Sequence, residues 1–138
     1  MMERILQKIG RINEYVAVIS SIKHECEDRF DTDALYRGAM LHYLYLMSDT
    51  AIVLAEMVIK KKGLRTPQSY SEAFDILGEG GVLEPEFAYA FAKIAGFRNF
   101  LAHDYDKIEA AIICGKVINS ISEVKQFIRQ ISESCGID

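Results

Sequence analysis

Apolar residues recur at helical spacing along the first part of the chain. They fall three or four positions apart, with charged residues between them, at Ile5, Ile9, Ile12, Val16 and Ile19, and Lys23 and Cys26 continue the same spacing. This spacing predicts an amphipathic helix over about residues 2–28. The following segment is apolar on nearly all sides, which predicts a second helix over about 33–62 that other helices surround. Asp33 can cap its start, and Gly63 can close its end.

Three further helices are predicted in the second half. Ser69-x-x-Glu72 has the pattern of a capping box and predicts a short helix over about 70–78. Pro85 suits the first position of a fourth helix, whose inner face carries Phe87, Phe91, Ile94, Phe97 and Leu101. Asp106-x-x-Glu109 then opens a last helix over about 106–134. Its apolar stripe consists of Ile108, Ile112, Gly115, Ile118, Ile121, Val124, Ile128 and Ile131.

These elements predict an all-α fold, an antiparallel bundle of four long helices plus one short helix, in one domain over residues 1–138. Half of the residues are apolar and 26% are charged, which is typical of a soluble globular protein. The run from Ala39 to Ile59 is apolar enough to suggest a membrane span. However, Asp49 and Glu56 inside it would be costly in lipid. We therefore expect a buried central helix and no membrane association.

The net charge of −4 does not by itself indicate nucleic-acid binding, so any polyanion site has to be a local basic patch. Lys60, Lys61, Lys62 and Arg65 form a candidate RNA-binding patch, although a solvated helix end explains them equally well. Three cysteines lie far apart and in no CxxC pair, which favours reduced thiols in a cytoplasm. The N-terminus leads into an amphipathic pattern rather than a signal peptide.

The segment from Arg98 to Tyr105 concentrates the candidate chemistry. Arg98 offers a permanent cation, His103 a proton carrier near neutral pH, and Tyr105 a hydrogen-bonding hydroxyl, which together suit phosphodiester chemistry. The spacing alone is weak evidence, because structural salt bridges and helix-capping histidines are common. Residues five apart on one helix lie about 140° apart around it. For Arg98 and His103 to act together, we therefore expect the helix to end near Ala102.

Asp49 is a single acid in the most apolar helix, and a buried acid normally has a partner. We expect Arg98 to be that partner, with an N–H or hydroxyl donor as the alternative. His103, Asp104 and Asp106 are candidate metal ligands, but no second ligand cluster supports them. We therefore expect no metal and no cofactor.

The sequence Arg98-Asn99-Phe100-Leu101-Ala102-His103-Asp104-Tyr105 resembles the Arg-x4-His-x-Tyr motif of HEPN-domain proteins, specifically the HepT toxins. The likeness extends over nearly the whole chain, through Asp49 in the apolar helix, the Ser69-Tyr70-x-Glu72 segment and the Gly81-Val82 turn.

The resemblance implies a type VII-like toxin, a dimeric and metal-independent endoribonuclease that cleaves RNA such as tRNA or mRNA. It implies that Arg98 and His103 are catalytic, with Asp49 and Asn99 in support. It further implies a partner antitoxin, an MntA-like minimal nucleotidyltransferase, which transfers AMP to Tyr105.

One histidine cannot easily act as base and acid in the same step. A two-fold homodimer would bring two sets of Arg98 and His103 into a shared cleft and supply one of each. The alternative function is a non-catalytic helical module that binds a nucleotide or a nucleotidyltransferase partner, which suits the acidic net charge. A neighbouring reading frame that encodes a small nucleotidyltransferase would favour the toxin.

Overall fold

The computed structural model describes residues 1–137, which form a bundle of helices without a β-strand. The α-helices are α1 (Met2–Ile22), α2 (Cys26–Arg29), α3 (Ala34–Lys61), α4 (Tyr70–Glu79), α5 (Pro85–Phe91), α6 (Ile94–His103) and α7 (Ile121–Ser134). Short 3₁₀ turns cover Lys23–Glu25, Tyr105–Lys107 and Ile118–Ser120, and a π-helical segment covers Ile112–Val117. The predicted all-α fold class is confirmed.

Helix α3 is the central element of the bundle, as its apolar pattern predicts. It packs against α1, α4 and α6, and its buried positions face all three. At its start, Asp33 Oδ1 accepts hydrogen bonds from the backbone N–H groups of Leu35 and Tyr36, at 3.0 and 3.1 Å. The predicted N-cap is therefore present, and it satisfies two donors that a helix start otherwise leaves open.

Among residues 1–137, α3 is also the one helix whose length and hydropathy would be compatible with crossing a membrane. More than half of its most apolar stretch is buried inside the bundle. Burial against neighbouring helices accounts for its apolar composition, because a helix surrounded on all sides needs few polar positions.

The predicted capping box forms at the start of α4. Ser69 Oγ accepts from the backbone N–H of Glu72 at 3.1 Å. The Glu72 carboxylate accepts from the backbone N–H of Gln68 at 2.8 Å, one residue further back than the usual pattern. The box fixes the position of Tyr70, the first residue of α4, which reaches the candidate site described below.

The predicted fourth helix is divided by a turn at Ala92 and Lys93 into α5 and α6. Phe91, at the end of α5, packs its ring against Phe127 of α7 and Phe74 of α4, with ring centroids 4.9 and 5.4 Å apart. This aromatic contact joins α4, α5 and α7 into one core. It also sets the direction in which α6 leaves toward α3.

The predicted last helix over about 106–134 starts later and less regularly than expected: the chain is helical from residue 110 onward, but residues 112–120 form π-helical and 3₁₀ turns. Tyr105–Lys107 forms a 3₁₀ turn rather than a capped helix start, and the regular α-helix begins only at Ile121. A π-helical turn holds more residues than an α-helical turn, so it shifts the phase of an apolar stripe. Ile113 is consequently fully buried, whereas Ile112, which the stripe predicts as internal, is 41% exposed.

The expectation that all cysteines are reduced thiols is also wrong in this structure. Cys26 and Cys114 form a disulfide, with their Cα atoms 5.6 Å apart, and Cys135 is free. The two bonded residues are 88 positions apart in the sequence. Only the fold brings the first residue of α2 beside the π-helical segment, and bonding requires such proximity.

Candidate functional site

Arg98 connects α6 to the central helix. Tyr45 and Asp49 lie one turn apart on α3 and therefore share the face that α6 contacts. The Arg98 Nε–H donates to Asp49 Oδ1 at 2.9 Å, and Arg98 Nη2 donates to the Tyr45 hydroxyl at 3.1 Å. The predicted contact between Asp49 and Arg98 is therefore present.

Two tyrosine rings enclose the same guanidinium. The Arg98 Cζ atom lies 5.2 Å from the centroid of the Tyr45 ring and 5.3 Å from that of Tyr70, within the range of cation–π attraction. Arg98 Nη1 also donates to Asn99 Oδ1 at 3.2 Å. Three of the five guanidinium N–H donors are thus engaged, and two remain available for a ligand.

The surroundings keep Arg98 charged. Burial alone would lower its pKa, but the hydrogen bond to Asp49 and the charges of Tyr45, Asp49 and Tyr70 together raise the pKa above its usual value. Further along α3, burial and then the negative charge of Asp49 raise the pKa of the Glu56 carboxyl. Asp49 itself is less buried than its apolar helix predicts, with 37% of its side chain exposed, whereas the Arg98 side chain is 17% exposed.

His103 is the last residue of α6, and its side chain is exposed. The helix ends one residue beyond the predicted end at Ala102, as the backbone leaves helical geometry at Asp104 with φ −120° and ψ 33°. Arg98 and His103 therefore lie on one continuous helix, about 140° apart around its axis. The predicted helix end near Ala102 is therefore confirmed to within one residue, and the joint action of Arg98 and His103 stays a prediction.

Tyr105 lies in the 3₁₀ turn after α6 and is 46% exposed. Its ring lines a cavity of about 310 Å³ together with Leu41, His42, Tyr45, Leu101 and Ala102. Tyr45 therefore contacts Arg98 through its hydroxyl and also borders the cavity that holds Tyr105. Gly38 of α3 faces the same phenol, because a methyl group added there would lie 3.9 Å from the Tyr105 hydroxyl.

The candidate basic patch lies away from Arg98. Lys60 and Lys61 are exposed in the last turn of α3, and Lys60 is eleven residues beyond Asp49, about 16 Å along the helix. Arg65 forms ion pairs with Glu79 at 2.8 Å and Glu72 at 3.3 Å. Lys62 Nζ donates to the backbone carbonyl of Ser134 at 2.7 Å. The fold therefore employs half of the patch in holding helix ends together.

Within residues 1–137, no group of three or more histidine, cysteine or acidic side chains is arranged to hold a metal ion. His103, Asp104 and Asp106, the metal ligands considered from the sequence, do not form such a group.

Sequence reasoning missed Tyr45 and Tyr70 as members of the site. For Tyr45 a signal exists, because it lies four residues before Asp49 and so shares its helix face. For Tyr70 the sequence offers no comparable signal. Its contact with Arg98 depends on how the capping box orients the start of α4 over α6.

The geometry defines a class of protein: a helical bundle with a tyrosine-enclosed arginine and an exposed histidine five residues later on the same helix. The chain belongs to the family described as "Ribonuclease HepT-like", which matches residues 5–131.

Two relatives match over almost their full length. A "Putative RNase" of Archaeoglobus fulgidus is 29% identical over 135 residues, covering 95% of this chain and 92% of the relative. The "mRNA nuclease HepT" of Shewanella oneidensis is 23% identical over 128 residues, covering 93% of this chain and 96% of the relative.

Among solved structures, the fold is similar to that of the tri-AMPylated HEPN toxin of Shewanella oneidensis in complex with its MNT antitoxin. The TM-score is 0.83 at 22% identity, over 94% of this chain and 96% of the toxin. The resemblance to HEPN proteins noted from the sequence is thereby confirmed at the level of family and fold.

Proposed function

We propose that this chain is the toxin of a type VII-like toxin–antitoxin pair, a metal-independent endoribonuclease acting on tRNA or mRNA in the cytoplasm. The observation that carries the proposal is the Arg98 guanidinium, fixed between Asp49, Tyr45 and Tyr70 with two N–H donors left over. Family membership and the names of the relatives support the reaction class.

Arg98 binds the scissile phosphate in this proposal. Two free N–H groups on a planar guanidinium match two oxygens of a phosphate, and they can also stabilise charge that develops on the pentacoordinate phosphorus. Asp49 and Tyr45 hold the guanidinium in one orientation before RNA arrives, so little conformational freedom is lost on binding. Asn99 has a supporting role through its hydrogen bond to Arg98.

His103 carries the proton. As base, it removes the proton of a ribose 2′-hydroxyl, whose oxygen forms a bond to phosphorus while the bond from phosphorus to the 5′-oxygen breaks. As acid, a protonated histidine gives a proton to that departing 5′-oxygen. Because Arg98 and His103 point about 140° apart on α6, one chain supplies only part of this arrangement. A homodimer in which two motifs face each other across a cleft completes it.

The contacts with the partner and the more distant contacts with RNA are assigned to other residues. Tyr105 is exposed beside the cavity that Tyr45 borders, and we propose it as the residue to which an MntA-like nucleotidyltransferase transfers AMP. The AMPylated Shewanella toxin supports this assignment. Lys60 and Lys61 are the members of the basic patch that stay available for distant RNA contacts, with smaller contributions from Lys62 and Arg65.

The test is cleavage of total RNA and growth arrest on expression of Arg98→Ala and His103→Ala. Each variant should lose about 10²-fold or more of the cleavage rate, as for loss of a charge stabiliser or a proton carrier. The matched controls are Arg129→Ala and His24→Ala, which change exposed residues of the same type elsewhere. Cleavage should also persist in EDTA.

Full activity of either site variant would overturn the catalytic assignment. EDTA inhibition that a divalent ion reverses would overturn the metal-independent mechanism. If neither the wild type nor any variant cleaves RNA, but the chain still binds a nucleotidyltransferase, the non-catalytic module is favoured instead.

A further inference from the structure

A second cavity, of about 310 Å³, lies between α3, the α5–α6 turn and the segment that leads into α7. Its walls are mainly apolar and include Met47, Phe91, Ile94, Phe97, Val117 and Val124. Arg98, His103 and Tyr105 are not among the residues that line it. Its volume is within the range of sites that hold small organic molecules.

Ser48 gives this cavity a polar group without a partner. Its side chain is 0% exposed, and within residues 1–137 the Oγ atom has no hydrogen-bond partner. A serine inside a helix usually donates to the carbonyl one turn earlier, as Ser120 of the same cavity does to Lys116 at 2.9 Å. Buried hydroxyls without a partner are rare because desolvation is costly. Ser48 lines the cavity, and within the described residues its hydroxyl lacks the hydrogen-bond partner that a molecule bound there would supply.

Positive charge is present at the edge of the cavity. Lys93 and Lys116 both line it and are both exposed. Lys93 lies 3.9 Å from the Glu123 carboxylate, a long ion pair in which the lysine side chain is exposed and the glutamate is partly buried. Two cations and one anion leave a net positive edge, which favours a ligand with an anionic group.

Another part of the cavity wall comes from the π-helical segment. Ile112, Lys116 and Val117 all belong to Ile112–Val117 and all line the cavity. Such wide turns are uncommon and are found frequently at functional sites. Here the wide turn leaves Ile112 41% exposed at the cavity while Ile113 fills the core.

We propose that this cavity binds a small aromatic carboxylate. The two phenylalanine rings, Phe91 and Phe97, suit a flat apolar ring. An N–H or O–H group at the inner edge of that ring would donate to Ser48 Oγ, and the carboxylate would lie beside Lys116 and Lys93. This site is additional to the ribonuclease site, and its test does not depend on RNA cleavage.

Isothermal titration of the full chain with three probes tests the proposal. Indole-3-acetate carries both the N–H and the carboxylate, 1-naphthaleneacetate lacks the N–H, and tryptamine replaces the anion with a cation. Indole-3-acetate should bind at one site per chain. The other two should bind about tenfold more weakly, as expected for loss of one hydrogen bond or one charge contact.

Variants test the two proposed contacts, the hydrogen bond to Ser48 and the charge contact with Lys116. Ser48→Ala should abolish the preference for indole-3-acetate over 1-naphthaleneacetate, whereas Ser120→Ala, whose hydroxyl is already bonded, should keep it. Lys116→Gln should weaken both acids about equally, and Lys125→Gln, which lies outside the cavity, should not.

Equal binding of all three probes to the wild type would overturn the proposal, as would the absence of binding at about millimolar concentration. Persistence of the probe preference in Ser48→Ala would also overturn it. If a variant is unstable, the comparison of the three probes on the wild-type chain still tests the proposal. Thermal unfolding checks the fold, and Ser48→Ala should be at least as stable as the wild type because it removes an unpaired buried hydroxyl.

Discussion

At the scale of single residues, the ability of Arg98 to bind a phosphate depends on the contacts that fix its side chain. A long flexible side chain loses rotamer freedom when it binds a phosphate, and that cost falls if neighbours already fix it. Asp49 bonds to Nε, Tyr45 bonds to Nη2, and the rings of Tyr45 and Tyr70 cover the guanidinium. Together with the hydrogen bond to Asn99, these contacts engage three of the five guanidinium N–H groups and leave two for the proposed phosphate ligand.

Asp49→Asn tests this positioning role. The amide oxygen can still accept from Arg98 Nε, but the charge attraction is lost, so the guanidinium should become less ordered. We expect the cleavage rate to fall roughly tenfold. Stability should fall by only about 1 kcal/mol, since the pair is partly exposed and screened. Cleavage kinetics and thermal unfolding measure the two effects. Asp75→Asn, an exposed aspartate on α4, is the control, and an unchanged rate in Asp49→Asn would contradict the role.

At the scale of the elements, the long helices could be predicted because their signals are local. The Asp33 cap, the Ser69 capping box and Pro85 each lie where the sequence puts a helix start. The segment 104–120 could not be predicted, since its apolar spacing fits an α-helix and nothing local marks a π-helical turn. Its path is set by packing, with Ile113 in the core and Cys114 beside Cys26.

The residues of the candidate site also fall into two groups, those that local sequence reveals and those that only the packing of helices brings together. Arg98, His103 and Tyr105 are adjacent in sequence, so a motif reveals them, and a lone acid in an apolar helix reveals Asp49. The enclosure by Tyr70 is a contact between residues 28 positions apart, and it exists only once α4 packs over α6. Local patterns therefore identify the chemical groups, whereas tertiary packing decides how they are oriented.

The N-cap at Asp33 predicts how the stability of the fold changes as the pH falls. The hydrogen bond from Arg29 and then the backbone N–H of Tyr36 lower the pKa of Asp33 below its ordinary value. A folded-state pKa that is depressed adds stability above the unfolded-state pKa of about 3.9, and this is lost as pH falls through the folded value. Asp33→Ala should therefore lower the unfolding temperature at pH 7 and have a smaller effect in strong acid.

Thermal unfolding by circular dichroism across pH measures this difference. Asp31→Ala removes the same charge two residues earlier, where the side chain is exposed, and serves as the control. An Asp33→Ala effect that does not shrink toward low pH would contradict the cap as its origin.

At the scale of the whole molecule, the separation of Arg98 from His103 around α6 makes a second chain necessary to the proposed mechanism. If each cleft needs a histidine from both chains, only dimers of two wild-type chains cleave RNA. Equal coexpression of wild type with His103→Ala should then leave about a quarter of the activity, whereas independent chains would retain about half. Light scattering should show a dimer at micromolar concentration. A monomer, or activity proportional to the wild-type fraction, would contradict the shared cleft.

Control by the partner should act through Tyr105. In the proposed transfer, the phenol oxygen forms a bond to the α-phosphorus of ATP, the bond to the β-phosphate breaks, and pyrophosphate and the phenol proton leave. The phenol is exposed enough for this reaction, since 46% of Tyr105 is accessible. It lies at a cavity that Tyr45 also lines, and the Tyr45 hydroxyl accepts a hydrogen bond from Arg98. Each AMP would add negative charge and a bulky base at the place where the proposed mechanism puts the anionic RNA backbone.

Like charges about 4 Å apart repel by about 4 kcal/mol at an effective dielectric near 20, enough to prevent RNA binding without unfolding the chain. The new phosphate can also occupy the free Arg98 donors. Tyr105→Phe should therefore keep some nuclease activity and escape silencing. Tyr89→Phe, which changes a tyrosine that is 83% exposed on α5, should be silenced like the wild type. Intact-mass spectrometry after incubation with the nucleotidyltransferase and ATP decides the matter: an unmodified wild type, or the same adduct on Tyr105→Phe, would exclude this residue as the switch.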